Sequence, residues 1–174
     1  MPGTPIRPEV ETELQRQLNH ELGAAHAYTA LAVWCFDRNY KGFARHFYKQ
    51  SSEEHGHAQR FIDHLLDRGV MPKLQALPAP RTEFDGLVAV ARHALAMEQA
   101  NTVGIHQVYE KAGTVKDHAT QVAMHWFISE QVEEENWATE MVQRTEAAGS
   151  DAGLSALDRH IERYLADRGH DQAE

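Results

Sequence analysis

All six prolines of this 174-residue chain fall in two places, residues 2–8 and 72–80. A proline inside a helix removes a hydrogen bond and clashes with the preceding turn, so long stretches on either side of residues 72–80 are free to be helical. Glycine divides them further. The sequence predicts a first helix from about Glu9 to Asp37, with Pro8 and the acidic Glu9, Glu11 and Glu13 suiting its start. A second runs from about Lys41 to Arg68 and stops at Gly69. A third opens with Thr82-Glu83-Phe84-Asp85, a pattern like a capping box, and ends at Gly113. A fourth spans about Val115 to Ala148, and a short fifth about Leu154 to Ala166, with Ser150 or Asp151 as N-cap. No strand alternation and no tandem repeat interrupts this reading. Four helices of about 28–33 residues, each roughly 40–50 Å long, must pack on one another.

The connections choose the topology. The first and second helices, like the third and fourth, are joined by short turns and so are antiparallel. Between the second and third lies GVMPKLQALPAPRT, which at about 3.3 Å per residue can span roughly 46 Å. It can therefore carry the chain back along the whole bundle and make the second and third helices parallel. The expected fold is all-α: one domain over 1–174, a four-helix bundle (about 9–148) with one long crossover between the second and third helices, plus a short C-terminal fifth helix (about 154–166).

A buried seam can be traced on each helix at alternating three- and four-residue spacing. The first carries Leu14, Leu18, Glu21, Ala25, Tyr28, Ala32 and Cys35; the second Phe43, Phe47, Gln50, Glu54, His57 and Phe61. The third carries Leu87, Ala91, Ala94, Glu98, Asn101, Ile105 and Val108; the fourth Met124, Phe127, Gln131, Glu134, Ala138 and Met141. Every seam is mostly apolar or small, and every seam carries one glutamate near its middle. Taken singly, a seam glutamate is more often a surface residue and a lone histidine more often a satisfied core residue. Four carboxylates at matching heights are different. They repel strongly at low dielectric and stay ionised and buried only with cations among them. Glu54-x-x-His57 puts both side chains on one helical face, one turn apart. Oxygen ligands with one imidazole suit iron, manganese or zinc. Glu21, Glu54, His57, Glu98 and Glu134 can hold two divalent ions, with Glu54 placed to bridge them. Tyr28 lies two turns after Glu21 and can bond a ligand carboxylate.

The remaining features exclude more than they assign. A net charge of −9 argues against nucleic acid as a partner and suits cations. One cysteine, Cys35, allows no internal disulfide and makes a reducing cytoplasm the expectation. The N-terminus has no apolar core of a signal peptide. No apolar run approaches the roughly 20 residues a membrane span needs.

The stretches NHEL, EEHGHAQR, AMEQ and SEQVEEE, one on each long helix, resemble the motifs of bacterial non-haem ferritins over nearly the whole chain. The resemblance implies iron storage with ferroxidase activity: Fe²⁺ is oxidised by dioxygen or peroxide at a di-iron centre and stored as a mineral inside a shell of twenty-four copies, whose four-fold axis the fifth helix lines. By position, Glu21, Glu54 and His57 hold the first iron, and Glu54, Glu98 and Glu134 the second, with Gln131 close by. Glu53, Glu130 and Glu133 resemble a third iron site toward the inner surface of the shell. Tyr28 and Trp34 match an aromatic pair near the centre. Bacterioferritins carry a second Glu-x-x-His on the fourth helix, where this chain has Gln131-x-x-Glu134. They also use a methionine after the bridging glutamate to bind haem, where this chain has His55, so haem is not expected. The alternatives are a haem-binding ferritin of bacterioferritin type and a di-iron peroxide-handling enzyme in the rubrerythrin style, which needs the same ligands but no shell.

Overall fold

The computed structural model describes residues 5–166; residues 1–4 and 167–174 of the expected domain lie outside the described residues. Four long helices form the bundle: α1 (Pro8–Asp37), α2 (Lys41–Asp67), α3 (Leu87–Thr114) and α4 (His118–Ala148). Helix directions follow from side chains that meet at each end. At one end Arg68 near the close of α2 pairs with Asp117 at the start of α4, and Leu14, Phe61, Val108 and Met124 share a core. At the other, Trp34 late in α1 packs on Phe84 just before α3, and Arg92 early in α3 pairs with Glu146 late in α4. Thus α2 and α3 are parallel, and the crossover runs the length of the bundle as expected. All the seam positions named above are buried.

The crossover has no helix or strand of its own, yet its backbone is tied to α1. Gln15 donates to the Met71 carbonyl and accepts from the Lys73 amide, at 2.9 and 2.8 Å. One turn later Asn19 donates to the Lys73 carbonyl and accepts from the Gln75 amide, both at 2.8 Å.

Three local expectations are corrected. Thr82 caps nothing: α3 begins at Leu87, with Gly86 at its N-cap position and no side-chain cap. Phe84 is drawn into the core against Trp34, with Arg81 over its outer face, and this holds residues 82–85 out of the helix. The fourth helix starts at His118 rather than near Val115, because Lys116 adopts a positive φ and Asp117 caps the helix by accepting from the Thr120 amide. The fifth helix is two, α5 (Asp151–Asp158) and α6 (Ile161–Ala166), with Ser150 capping α5 as expected. Its break lets two demands be met. The Asp158 carboxylate accepts from the Phe43 amide at the open N-terminus of α2, at 3.0 Å, while Ile161 is fully buried in the bundle's end core. Gly42 makes that approach feasible, since a Cβ there would lie 1.9 Å from the Asp158 carbonyl oxygen. The apolar residues Leu154, Leu157, Ile161 and Leu165 therefore cover the end of their own bundle.

Candidate metal centre

The bundle has two hydrophobic cores rather than one. Tyr28, Phe43, Phe47, Val90 and Met141 belong to the first, and Leu18, Phe61, Ile105 and Phe127 to the second. Between them lies a layer of buried polar side chains: Gln17, Glu21, Gln50, Glu54, His57, Glu98, Asn101, Gln131 and Glu134. The helices bring the predicted glutamates and His57 to this one height because each sits mid-helix and the directions alternate as described.

His57 Nδ1 is 3.2 Å from Glu54 Oε2 and 3.8 Å from Glu21 Oε2. Two groups of three ligand atoms, Glu21–Glu54–His57 and His57–Glu130–Glu134, each gather within 4.8 Å. The first is the expected first-iron set. In the second, His57 and Glu130 stand with Glu134 where the expectation had Glu54 and Glu98. Glu98 is instead drawn to Tyr28, whose hydroxyl donates to one oxygen, and to Gln131, whose amide donates to the other at 3.3 Å. Glu53 and Glu130 are half-buried and Glu133 is exposed. All three line an open groove between α2 and α4 that Glu134 also borders.

Burial is the main reason that these carboxyls hold their protons. It pushes Glu21, Glu54 and Glu134 well above the usual carboxylate range, with the charge of Glu54 adding to the effect on Glu21 and that of Glu98 adding to the effect on Glu54 and Glu134. Glu98 is pushed up to about 7, again first by burial. Glu130 is raised more modestly by the same cause. A layer that resists ionisation this strongly gains most from a cation placed within it.

The donors around the carboxylates are unevenly shared. Glu21 accepts from Gln17 at 2.8 Å and from Asn101 at 3.2 Å. One oxygen of Glu134 accepts from Gln50 at 2.7 Å and from the indole N–H of Trp137. Glu98 has Tyr28 and Gln131. Glu54 has the His57 ring nitrogen and the Glu21 carboxyl beside it but no amide, hydroxyl or indole donor, so it is the carboxylate freest to turn between two ions.

Sequence reasoning missed Gln17 and Trp137 as parts of the centre. It also placed Trp34 there, whereas Trp34 packs against Phe84 and Arg38. The rings beside Tyr28 are Phe47, at 5.9 Å, and Trp137, at 6.2 Å. Trp137 follows Glu134 by three residues, one helical turn, and that spacing was the signal available. The prediction is that Trp137→Phe, which keeps the ring and deletes the donor, weakens Co²⁺ binding at Glu134 by about tenfold and leaves the Glu21–Glu54–His57 ion in place. Anaerobic titration followed by cobalt absorption reads both.

Comparison with known proteins matches residues 11–148 to the ferritin-like domain profile. The chain belongs to the ferritin family. Among curated ferritins, it is 36% identical over 169 residues to a bacterial non-heme ferritin of Staphylococcus saprophyticus, covering 97% of this chain and 99% of that one. A bacterial non-heme ferritin of Staphylococcus haemolyticus is 37% identical over 159 residues, covering 91% and 94%. Among solved ferritins, the open pore ferritin of the archaeon Archaeoglobus fulgidus superposes with a TM-score of 0.87 at 33% identity, covering 90% of this chain and 97% of that one.

Proposed function

We propose that this ferritin oxidises Fe²⁺ at the polar layer and stores the Fe³⁺ as a mineral within a shell of twenty-four copies in the cytoplasm. The observation that carries the reading is the convergence of four buried glutamates and His57, one carboxylate from each long helix, in a layer between two apolar cores. Iron is here the substrate. Glu21, Glu54 and His57 receive one Fe²⁺, and Glu54, Glu98 and Glu134 a second, with Gln131 orienting Glu98. Each ion gives up one electron, and dioxygen or peroxide accepts the pair. Tyr28 holds Glu98 in place through the reaction. Glu53, Glu130 and Glu133 form the third iron position, and their place along the open groove suits passage of oxidised iron out of the layer. The non-heme names of the Staphylococcus relatives support a centre that works without haem. No helix among the described residues is long and apolar enough to cross a membrane.

The test is to mix the purified protein with excess Fe²⁺ in air. A soluble, iron-loaded particle of several hundred kilodaltons is expected. Precipitated ferric hydroxide beside protein of one- or two-chain mass would overturn storage, and the second mass alone would favour a di-iron enzyme without a shell.

A further inference from the structure

Arg16 lies on α1, and its side chain is 39% exposed. Each of its three guanidinium nitrogens nevertheless donates a hydrogen bond. Nε donates to Glu13 at 2.8 Å, Nη2 to the Gly104 carbonyl at 3.0 Å, and Nη1 to Gln17 Oε1 at 3.2 Å. Gln17 Nε2 then donates to Glu21 at 2.8 Å and also to Asn101 Oδ1. Asn101 Nδ2 donates to Glu21 at 3.2 Å and to Gln131 Oε1 at 3.3 Å. Gln131 Nε2 donates to Glu98 Oε2 at 3.3 Å. These bonds form one chain across α1, α3 and α4.

Its direction is set by its ends. A guanidinium can only donate, and a carboxylate that a bound cation keeps ionised can only accept. Each amide between them must turn its oxygen toward Arg16 and its nitrogen toward the carboxylates. Without a donor-only end the Gln17 amide could invert, presenting oxygen to Glu21, and the inversion would pass to Asn101 and Gln131. Successive bonds in such a chain polarise and strengthen one another. Gly104 is the point that admits this packing, since a Cβ there would sit 2.2 Å from Gln17 Oε1.

We propose that Arg16 is a positioning residue for the metal centre, acting through the Gln17–Asn101–Gln131 amide chain to aim donors at Glu21 and Glu98. The inference rests on the metal-binding reading above. It makes a prediction of unusual sign. Through space, a cation near the centre repels Fe²⁺, so removing it would tighten metal binding. Through the amide chain, removing it weakens binding.

Anaerobic titration of the full chain with Co²⁺, read by its d–d absorption, separates the two. Arg16→Ala is expected to weaken Co²⁺ binding about tenfold. Arg16→Glu, an acceptor that forces the Gln17 amide to invert, weakens it further. Arg16→Lys, still a donor-only end, stays within about threefold of the parent. Gln17→Leu reproduces the loss, and adding Arg16→Ala to it brings no further change, as a shared path requires. Binding by Arg16→Ala and Arg16→Glu that equals or exceeds the parent's would overturn the proposal, as would additive losses in the double variant. Failure of the parent itself to bind Co²⁺ would instead remove the metal-binding reading on which it stands.

Discussion

Replacing Glu54 with alanine should lower the initial rate of Fe²⁺ oxidation by at least about a hundredfold, while far-UV circular dichroism stays that of a helical bundle. The size follows from Glu54's position. It is 1% exposed, it shares the first group of ligand atoms with Glu21 and His57, and the charges of Glu98 and Glu134 both act on it. Of the four glutamates it alone lacks a pair of amide, hydroxyl or indole donors, so no neighbour can take over its place between two ions. Losing a partner that merely orients a ligand typically costs 10–100-fold, and losing the shared ligand itself should cost no less. Stopped-flow absorbance after mixing with Fe²⁺ in air gives the rate. A variant that oxidises iron as fast as the parent would show that the chemistry lies elsewhere.

The metal-free protein should melt higher at pH 6.5 than at pH 8, opposite to the trend of a bundle held by ionised salt bridges. The folded-state values of Glu21, Glu54 and Glu134 are raised well above the ordinary carboxyl value of 4.5, and that of Glu98 to about 7. A group raised in this way binds its proton more tightly when folded. Its contribution is complete below the unfolded value and is lost as pH climbs through the folded one. Between pH 8 and 6.5 Glu98 alone accounts for about 1 kcal/mol, and Glu21, Glu54 and Glu134 act in the same direction. For a chain of this size 1 kcal/mol is about 2–4 °C in melting temperature. Buried His46, depressed to about 3, and His20, His64 and His93, also lowered first by burial, work the other way as pH falls toward their unfolded value of 6.5, and so offset part of the gain at the lower edge of this window. Saturating Zn²⁺ should remove most of the pH dependence by replacing protons as the neutralising charge. Differential scanning calorimetry of the apo and zinc forms makes the comparison, and an apo melting temperature that is flat or falling from pH 8 to 6.5 would rule out the buried-charge account.

Much of this was legible in the residues alone. Proline placement fixed the segments, and the three-and-four spacing picked out seam positions that are all buried, Glu21, Glu54, Glu98 and Glu134 included. The crossover's length sufficed to make α2 and α3 parallel. What escaped lies off the seams or depends on partners far along the chain. Gln17 precedes Glu21 by one turn, and in sequence it reads as a solvated polar residue; only the approach of α3 at Gly104 buries it. Trp137 is half-buried beside the groove, outside the spacing that picked Ala138. Thr82 had the right neighbours for a cap and lost to the burial of Phe84. A straight fifth helix was broken by Asp158 reaching an open helix end more than a hundred residues earlier, a contact that no local pattern announces.

Gln15 and Asn19 fix more than the position of the crossover. Each offers one carbonyl and one amide to alternate residues of the crossover, at Met71, Lys73 and Gln75, as a neighbouring strand would. Two side chains on a helix thereby impersonate a sheet edge. Sliding the loop by one residue would set carbonyl against carbonyl, so its register is dictated by a helix surface although no ladder exists.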